Sequence, residues 1–189
     1  QIGKRTRAQS GVPDLWLMFA PLKKARTDFV VEKATELGVA ELRPVITERT
    51  DAETVRIDRL QRTAIEAAEQ TERLDIPPVR EAVKLDQALA GWDDSRLLVY
   101  ADEAGDEGGK PWGGEAGRAP PFAQQIKAAG QKVAILIGPE GGFSRAERQR
   151  LRSLSYVRPV GLGPRILRAE TAAVAALAVF QAMAGDWRG

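Results

Sequence analysis

A chain of 189 residues, 43% of them hydrophobic, is long enough for one domain with a sizeable core, and it holds no apolar run near the ~18 residues of a membrane span. It contains neither cysteine nor histidine. That excludes disulfides, thiolate zinc sites, cysteine nucleophiles, Ser-His triads and imidazole bases, and it leaves carboxylates, Lys, Tyr, Arg and backbone groups for any chemistry. With 28 basic against 26 acidic residues the net charge is only +2, so no overall field demands a polyanionic partner.

In chain order, Gln1 to about Gly11 form a polar, basic stub carrying Lys4, Arg5 and Arg7, and the start looks cut from something longer. Leu15 to Phe19 reads as a buried strand, and Asp28 opens a helix on the stripe Val30, Val31, Ala34 and Leu37, ended by Gly38. Leu42 to Thr47 is a second strand, and Ile57 to about Thr71 a second helix on Ile57, Leu60, Ala64 and Ala68. A short helix from Asp86 and a strand from Leu97 to Ala101 follow. Strands alternating with helices imply an α/β fold, a mainly parallel sheet with helices on both faces. Lys23, Lys24 and Arg26, with Arg56, Arg59 and Arg62, make a phosphate-binding face if they converge in space, and a solvated charged surface if they do not.

Ala104 to Pro121 is rich in glycine and follows a strand, so a nucleotide-binding loop has to be considered. Pro111, Trp112 and further glycines follow instead of the helix that would cover a pyrophosphate, which makes a surface loop the better reading. A short helix ends over Ile126 to Ala129, Lys132 to Ile137 is a strand, and Ser144 with Glu147 forms the capping box of a helix through Leu154. Val157 to Val160 is the last strand. The final helix, roughly Glu170 to Ala184, is apolar almost all round, so it has to be buried on more than one side, within the fold or against another chain.

Two glycine-bearing segments stand out, LIGPEGGFS from Leu136 to Ser144 and GLGPRILRAETA from Gly161 to Ala172, each after an apolar strand and before a helix. Two such turns suggest one pocket walled by backbone groups, or, without any ligand, two tight turns. A phosphate loop does not fit, because no Lys-Ser/Thr pair follows the glycines and Glu140 would repel a phosphate. A ligand that is neutral or cationic near Glu140 fits better.

IGPEGG followed, beyond the next helix and strand, by LGPRILRAETA resembles the C-terminal knot motifs of the SPOUT (α/β-knot) methyltransferases, most closely the RsmE family, which methylates N3 of a uridine in small-subunit 16S ribosomal RNA. Upstream, EKATELGV from Glu32 to Val39, Glu48-Arg49-Thr50 and EQTERLDIPPV from Glu69 to Val79 look like blocks of the same family. The resemblance covers most of Leu15 to Gly185. It implies a SPOUT domain over residues 12–189 with a C-terminal deep trefoil knot, S-adenosylmethionine as cofactor, a homodimer through the knot and last helix, a cytoplasmic location, and neither metal nor membrane. The family normally carries an N-terminal β-barrel resembling a PUA domain, of which residues 1–11 would be a remnant.

Carried over by motif, Leu136, Ile137, Gly138, Glu140 and Gly142 of the first segment and Leu162, Gly163, Ile166 and Leu167 of the second would bind the cofactor. Uridine N3–H is a weak acid whose proton has to leave, and attack by nitrogen needs orientation and charge stabilisation rather than a covalent intermediate. Arg165 and Arg168 are the candidates to hold an RNA phosphate or a developing uridine anion, and Glu170 and Glu140 the candidate bases. For Glu170 a first-turn carboxylate favoured by the helix dipole is an equal alternative. Lys24, Arg49, Glu69, Gln70 and Arg73 are expected near the RNA, with a surface ion pair the alternative for Glu69 and Arg73. Rival readings are another SPOUT enzyme acting on a ribose or a transfer RNA, a non-catalytic RNA-binding module of the same fold, and a nucleotide hydrolase weakened by the missing phosphate-loop lysine.

Overall fold

The computed structural model describes residues 11–51, 54–102, 119–127 and 132–188. The basic stub up to residue 10, most of the glycine-rich stretch and the end of the short helix near Ala129 lie outside the described residues.

The chain builds β1 (Leu15–Phe19), α1 (Lys24–Glu36), β2 (Glu41–Ile46), α2 (Ile57–Gln70), β3 (Val83–Lys84), α3 (Leu85–Leu89) and β4 (Leu97–Ala101). It continues with α4 (Phe122–Lys127), β5 (Val133–Ile137), α5 (Arg145–Ser153), β6 (Val157–Val160) and α6 (Ala169–Ala184). Six strands form one sheet in the order β3-β2-β1-β5-β4-β6, and every pairing is parallel. β5 sits between β1 and β4 and reads VAILI, buried at all five positions, as a strand covered on both faces must be. β6 is an edge strand, where Pro159 removes no ladder hydrogen bond the sheet needs.

Alternation along the strands divides the core in two. Leu17, Val99, Val133, Ile135 and Ile137 face α1, α4 and α6, packing with residues such as Val31, Ile126 and Leu177. Met18, Leu98, Tyr100, Ala134 and Leu136 face α3 and α5, with Leu89, Phe143 and Leu151. Helices therefore cover both faces, as the alternation of elements implied.

The final helix packs on α1, α4 and β5 through Ala172, Ala173, Ala176, Leu177 and Phe180. Val174, Ala175, Ala178 and Val179 on its remaining surface stay half-buried within the single chain. Just before α6, Gly161 is tucked against the entry to α4, its N–H on the Pro120 carbonyl at 2.9 Å and its carbonyl on the Phe122 N–H at 3.0 Å. A side chain at 161 would press on the Ala119 carbonyl oxygen at 3.1 Å.

Two elements differ from the sequence reading. α1 begins at Lys24, a turn before Asp28, because Lys24, Ala25, Arg26 and Thr27 include no large apolar side chain and leave no apolar periodicity. β3 has only two residues, both exposed, and carries no alternation to detect.

Candidate cofactor and substrate site

Both glycine segments end at the C-terminal edge of the sheet, where open α/β sheets place ligands, and they enclose a cavity of about 450 Å³. The first segment contributes the run from Ile137 to Phe143, and the second Ile166, Leu167 and Arg168, followed by Ala169 and Ala172 of α6. Asp102 at the end of β4, Arg148 of α5 and Arg49 from the loop after β2 complete the wall.

Two glycines shape this cavity for different reasons. Gly142 lies at φ +68° with nothing within 4 Å of where a Cβ would stand, so it is needed for its backbone conformation and not for room. Gly138 has no such φ, but a Cβ there would meet the Phe143 ring at 2.9 Å. Phe143 is itself buried, edge-on to Tyr100 with ring centroids 5.7 Å apart. Gly163, at φ +115°, turns the second segment.

The first segment is anchored by Glu147. Its own N–H donates to Ser144 Oγ at 3.2 Å and the Ser144 N–H donates to its Oε2 at 2.9 Å, the capping box read from the sequence. Its other oxygen accepts the Glu48 N–H at 2.8 Å, which draws the loop after β2 onto α5. The next residue, Arg49, donates from Nη1 to the Gly141 carbonyl at 2.8 Å. Glu140, at the mouth, is ion-paired with Arg26.

Beneath the cavity lies a buried charge network whose members the sequence reading left without a role. Asp102 pairs with Arg148 Nε at 3.0 Å and Arg152 Nη2 at 2.6 Å, and it accepts the Tyr100 hydroxyl at 2.9 Å. Burial, and then the Asp102 charge, push the Tyr100 phenol well above its ordinary value. The available signals were an aspartate directly after an apolar strand and two arginines at i and i+4 of a capped helix.

Among the expected cofactor residues, Ile137, Gly138, Glu140, Gly142, Ile166 and Leu167 line the cavity, whereas Leu136, Leu162 and Gly163 do not. The Leu136 side chain points to the opposite face of the sheet, into the core under α5, because successive strand residues alternate. Leu162 packs onto the core beside α6. Arg168 lies at the rim as the N-cap of α6, exposed, while Arg165 is exposed and apart from the cavity. Glu170 sits in the first turn of α6 outside the cavity, with Oε2 buried and no hydrogen-bond partner among the described residues.

Of the expected RNA-side residues, only Arg49 reaches this cavity, and Lys24 lines the neighbouring cleft. Glu69 and Gln70 are exposed at the far end of α2. Arg73 does not pair with Glu69. It donates to the carbonyls of Thr35 and Val39, each at 2.7 Å, and pairs with Asp75, so it ties the loop after α2 to the C-terminal end of α1. α1 has 13 residues, about 20 Å of helix, and its other end faces the cleft. Among the described residues no cluster could hold a metal ion and no helix is long and apolar enough to cross a membrane.

This arrangement of a parallel sheet and two glycine segments defines a class. The chain belongs to the RNA methyltransferase domain family, whose model matches residues 9–181. It is 32% identical over 164 residues to the ribosomal RNA small subunit methyltransferase E of Rickettsia conorii, covering 87% of the chain and 62% of that relative. The chain thus spans about three fifths of such a relative's length. Among solved structures it resembles a ribosomal RNA small subunit methyltransferase E from Neisseria gonorrhoeae bound to S-adenosyl methionine (TM-score 0.81, 28% identity, 95% of this chain and 71% of that one). It is also similar to a Legionella pneumophila protein in complex with bound SAM (TM-score 0.79, 32% identity, 94% and 70%).

Proposed function

We propose that the chain is the SPOUT methyltransferase domain of an enzyme that moves a methyl group from S-adenosylmethionine to N3 of a uridine in 16S ribosomal RNA of the small subunit. The observation that carries this reading is the cavity itself, about 450 Å³, whose glycine segments and apolar side chains form one part of the wall, with Asp102, Arg148 and Arg49 in the rest of it, Arg168 at the rim and the exposed Glu140 carboxylate at the mouth. S-adenosylmethionine fits such a lining. Ile137, Leu167 and Ala172 offer an apolar wall for adenine, and the glycine segment brings backbone groups close to its hydrogen-bonding edge. A sulfonium has no N–H to donate and tolerates a carboxylate such as Glu140, which a phosphate would not. When bound, the cofactor supplies an electrophilic methyl carbon.

The chain's own residues then orient the base and handle its proton. Arg168, at the rim, carries a planar fork of donors suited to a phosphate or to a uridine losing its N3 proton. Glu140, at the mouth, is better situated than Glu170 to accept that proton, because Glu170 lines no part of the cavity. The same reading includes a C-terminal trefoil knot, supported by the tuck of Gly161 against the entry to α4. It also includes a homodimer over the half-buried face of α6 formed by Val174, Ala175, Ala178 and Val179, and a cytoplasmic place of action beside the ribosomal subunit. The test is transfer of isotopically labelled methyl from S-adenosylmethionine into small subunits that lack the modification. Cofactor and RNA binding with no transfer would favour a non-catalytic RNA-binding module instead.

A further inference from the structure

Next to the cofactor cavity, and sharing Arg49, Pro139 and Glu140 with it, lies a second cleft of about 400 Å³. Its other walls are the turn before α1 and the segment entering α2. The floor is apolar, from Leu22, Val55 and Leu60, and the rim carries Lys23, Lys24, Arg56 and Arg59 against Asp51. Arg59 is taken up by Asp28 at 2.7 Å and Arg56 by Asp58 at 3.2 Å. Lys23 and Lys24 are exposed and meet no carboxylate among the described residues.

Lys23 and Arg56 are also the N-cap residues of α1 and α2, neither with a side-chain cap, and α1 has no acidic residue in its first turn. A cation at a helix start opposes both capping preference and the helix dipole. At α2 the first-turn Asp58 already offsets Arg56, whereas the first turn of α1 offers Lys23 no such carboxylate, and an anionic ligand there would offset it. The opening is too small for a duplex and suits a single nucleotide. Uridine N3 lies on the Watson–Crick edge and is hidden in paired RNA, so an enzyme acting there takes the base out of its stack.

We infer that this cleft is the subsite for the extruded target nucleotide, with its flanking phosphates on Lys23 and Lys24 and its base over Leu22, Val55 and Leu60. The shared wall of Arg49 and Glu140 turns the reacting edge toward the cofactor cavity. The inference rests on the methyltransferase reading above, and the assays separate the two.

The probe is a labelled, short single-stranded RNA containing uridine, titrated onto the chain in the presence of S-adenosylhomocysteine. The double variant Lys23→Ala/Lys24→Ala should bind it about tenfold more weakly and flatten the log-affinity against log-salt slope by about 1.4, as expected for two lost phosphate contacts on a single strand. Its affinity for S-adenosylmethionine should not change. Lys132→Ala, an exposed cation before β5 at the far end of the sheet, should leave RNA affinity within about twofold of the parent. Equal losses in the two variants, an unchanged slope in the double variant, or no RNA binding by the parent would overturn the subsite. RNA held through these lysines without methyl transfer to small subunits would sink the methyltransferase reading and with it the assignment of the bound nucleotide as a methylation target, leaving an RNA-binding cleft. Undiminished transfer by the double variant would sink the subsite and leave the methyltransferase reading standing.

Discussion

Replacing Gly138 and Gly142 one at a time separates the fold of the first glycine segment from its use as a cofactor wall. At Gly142 an alanine meets no neighbour within 4 Å but has to adopt φ +68°, a left-handed conformation that costs an L-residue roughly 1–2 kcal/mol. For a domain of this size each kcal/mol lowers Tm by about 2–4 °C, so Gly142→Ala should melt about 2–8 °C below the parent. Gly142→Val carries the same strain and adds bulk to the cavity wall, and it should weaken S-adenosylmethionine at least tenfold, about 1.4 kcal/mol. Gly138→Ala works differently. Its Cβ displaces the buried Phe143 ring from Tyr100, a repacking worth about 1–3 kcal/mol of stability. Thermal melts and calorimetric titration of the cofactor on the same samples provide both numbers. A folded Gly142→Val that binds cofactor as tightly as the parent would refute the assignment of this cavity. A Gly138→Ala as stable as the parent would refute the packing argument.

Arg168→Ala should keep cofactor affinity while lowering single-turnover methyl transfer tenfold or more, and Arg168→Lys should recover only part, since lysine lacks the planar fork; loss of cofactor affinity alone would make the residue a shaper of the loop. Asp102→Ala leaves the nearly buried Arg148 without its carboxylate and should cost about 3–5 kcal/mol in denaturant unfolding; a cost under about 1 kcal/mol would mean water compensates the charge. The raised Tyr100 phenol contributes stability that is complete below its ordinary pKa of 10.0 and is lost as the solution becomes more alkaline, because the unfolded chain releases that proton first. Tyr100→Phe should therefore flatten the decline of stability above about pH 10, and an unchanged slope would assign that decline to other groups. Sedimentation at micromolar concentration should give a dimer mass, and Val174→Glu on the half-buried face of α6 should shift it to monomer; a monomeric parent would contradict the dimer.

What could be read from the sequence follows the range of the interactions involved. The five-residue apolar run of β5, the Ser144 capping box and the largely apolar α6 are written in consecutive residues, and the structure repeats them. The glycine segments were visible as turns, and that they meet at one cavity depends on β5 and β6 flanking β4, a fact of topology. Arg73 is expected from the sequence near the RNA, or else in a local ion pair with Glu69, yet its partners include carbonyls 34 and 38 residues away. The bond from the Glu48 N–H to Glu147, which fixes Arg49 at the cavity, spans 99 residues, and the Asp102 pairs span about 50. Such partners have no local signature. Leu136 shows a finer limit, because a motif places a residue on a strand but only the pleat decides which face its side chain takes.

Mass spectrometry of nucleosides from 16S ribosomal RNA, before and after incubation of unmodified small subunits with the protein and S-adenosylmethionine, tests the central claim most directly. N3-methyluridine should appear only with cofactor, and Gly142→Val should lower its yield when cofactor is limiting. A methylated ribose, a methyl group on another base, or no new nucleoside despite measured cofactor and RNA binding would contradict that claim.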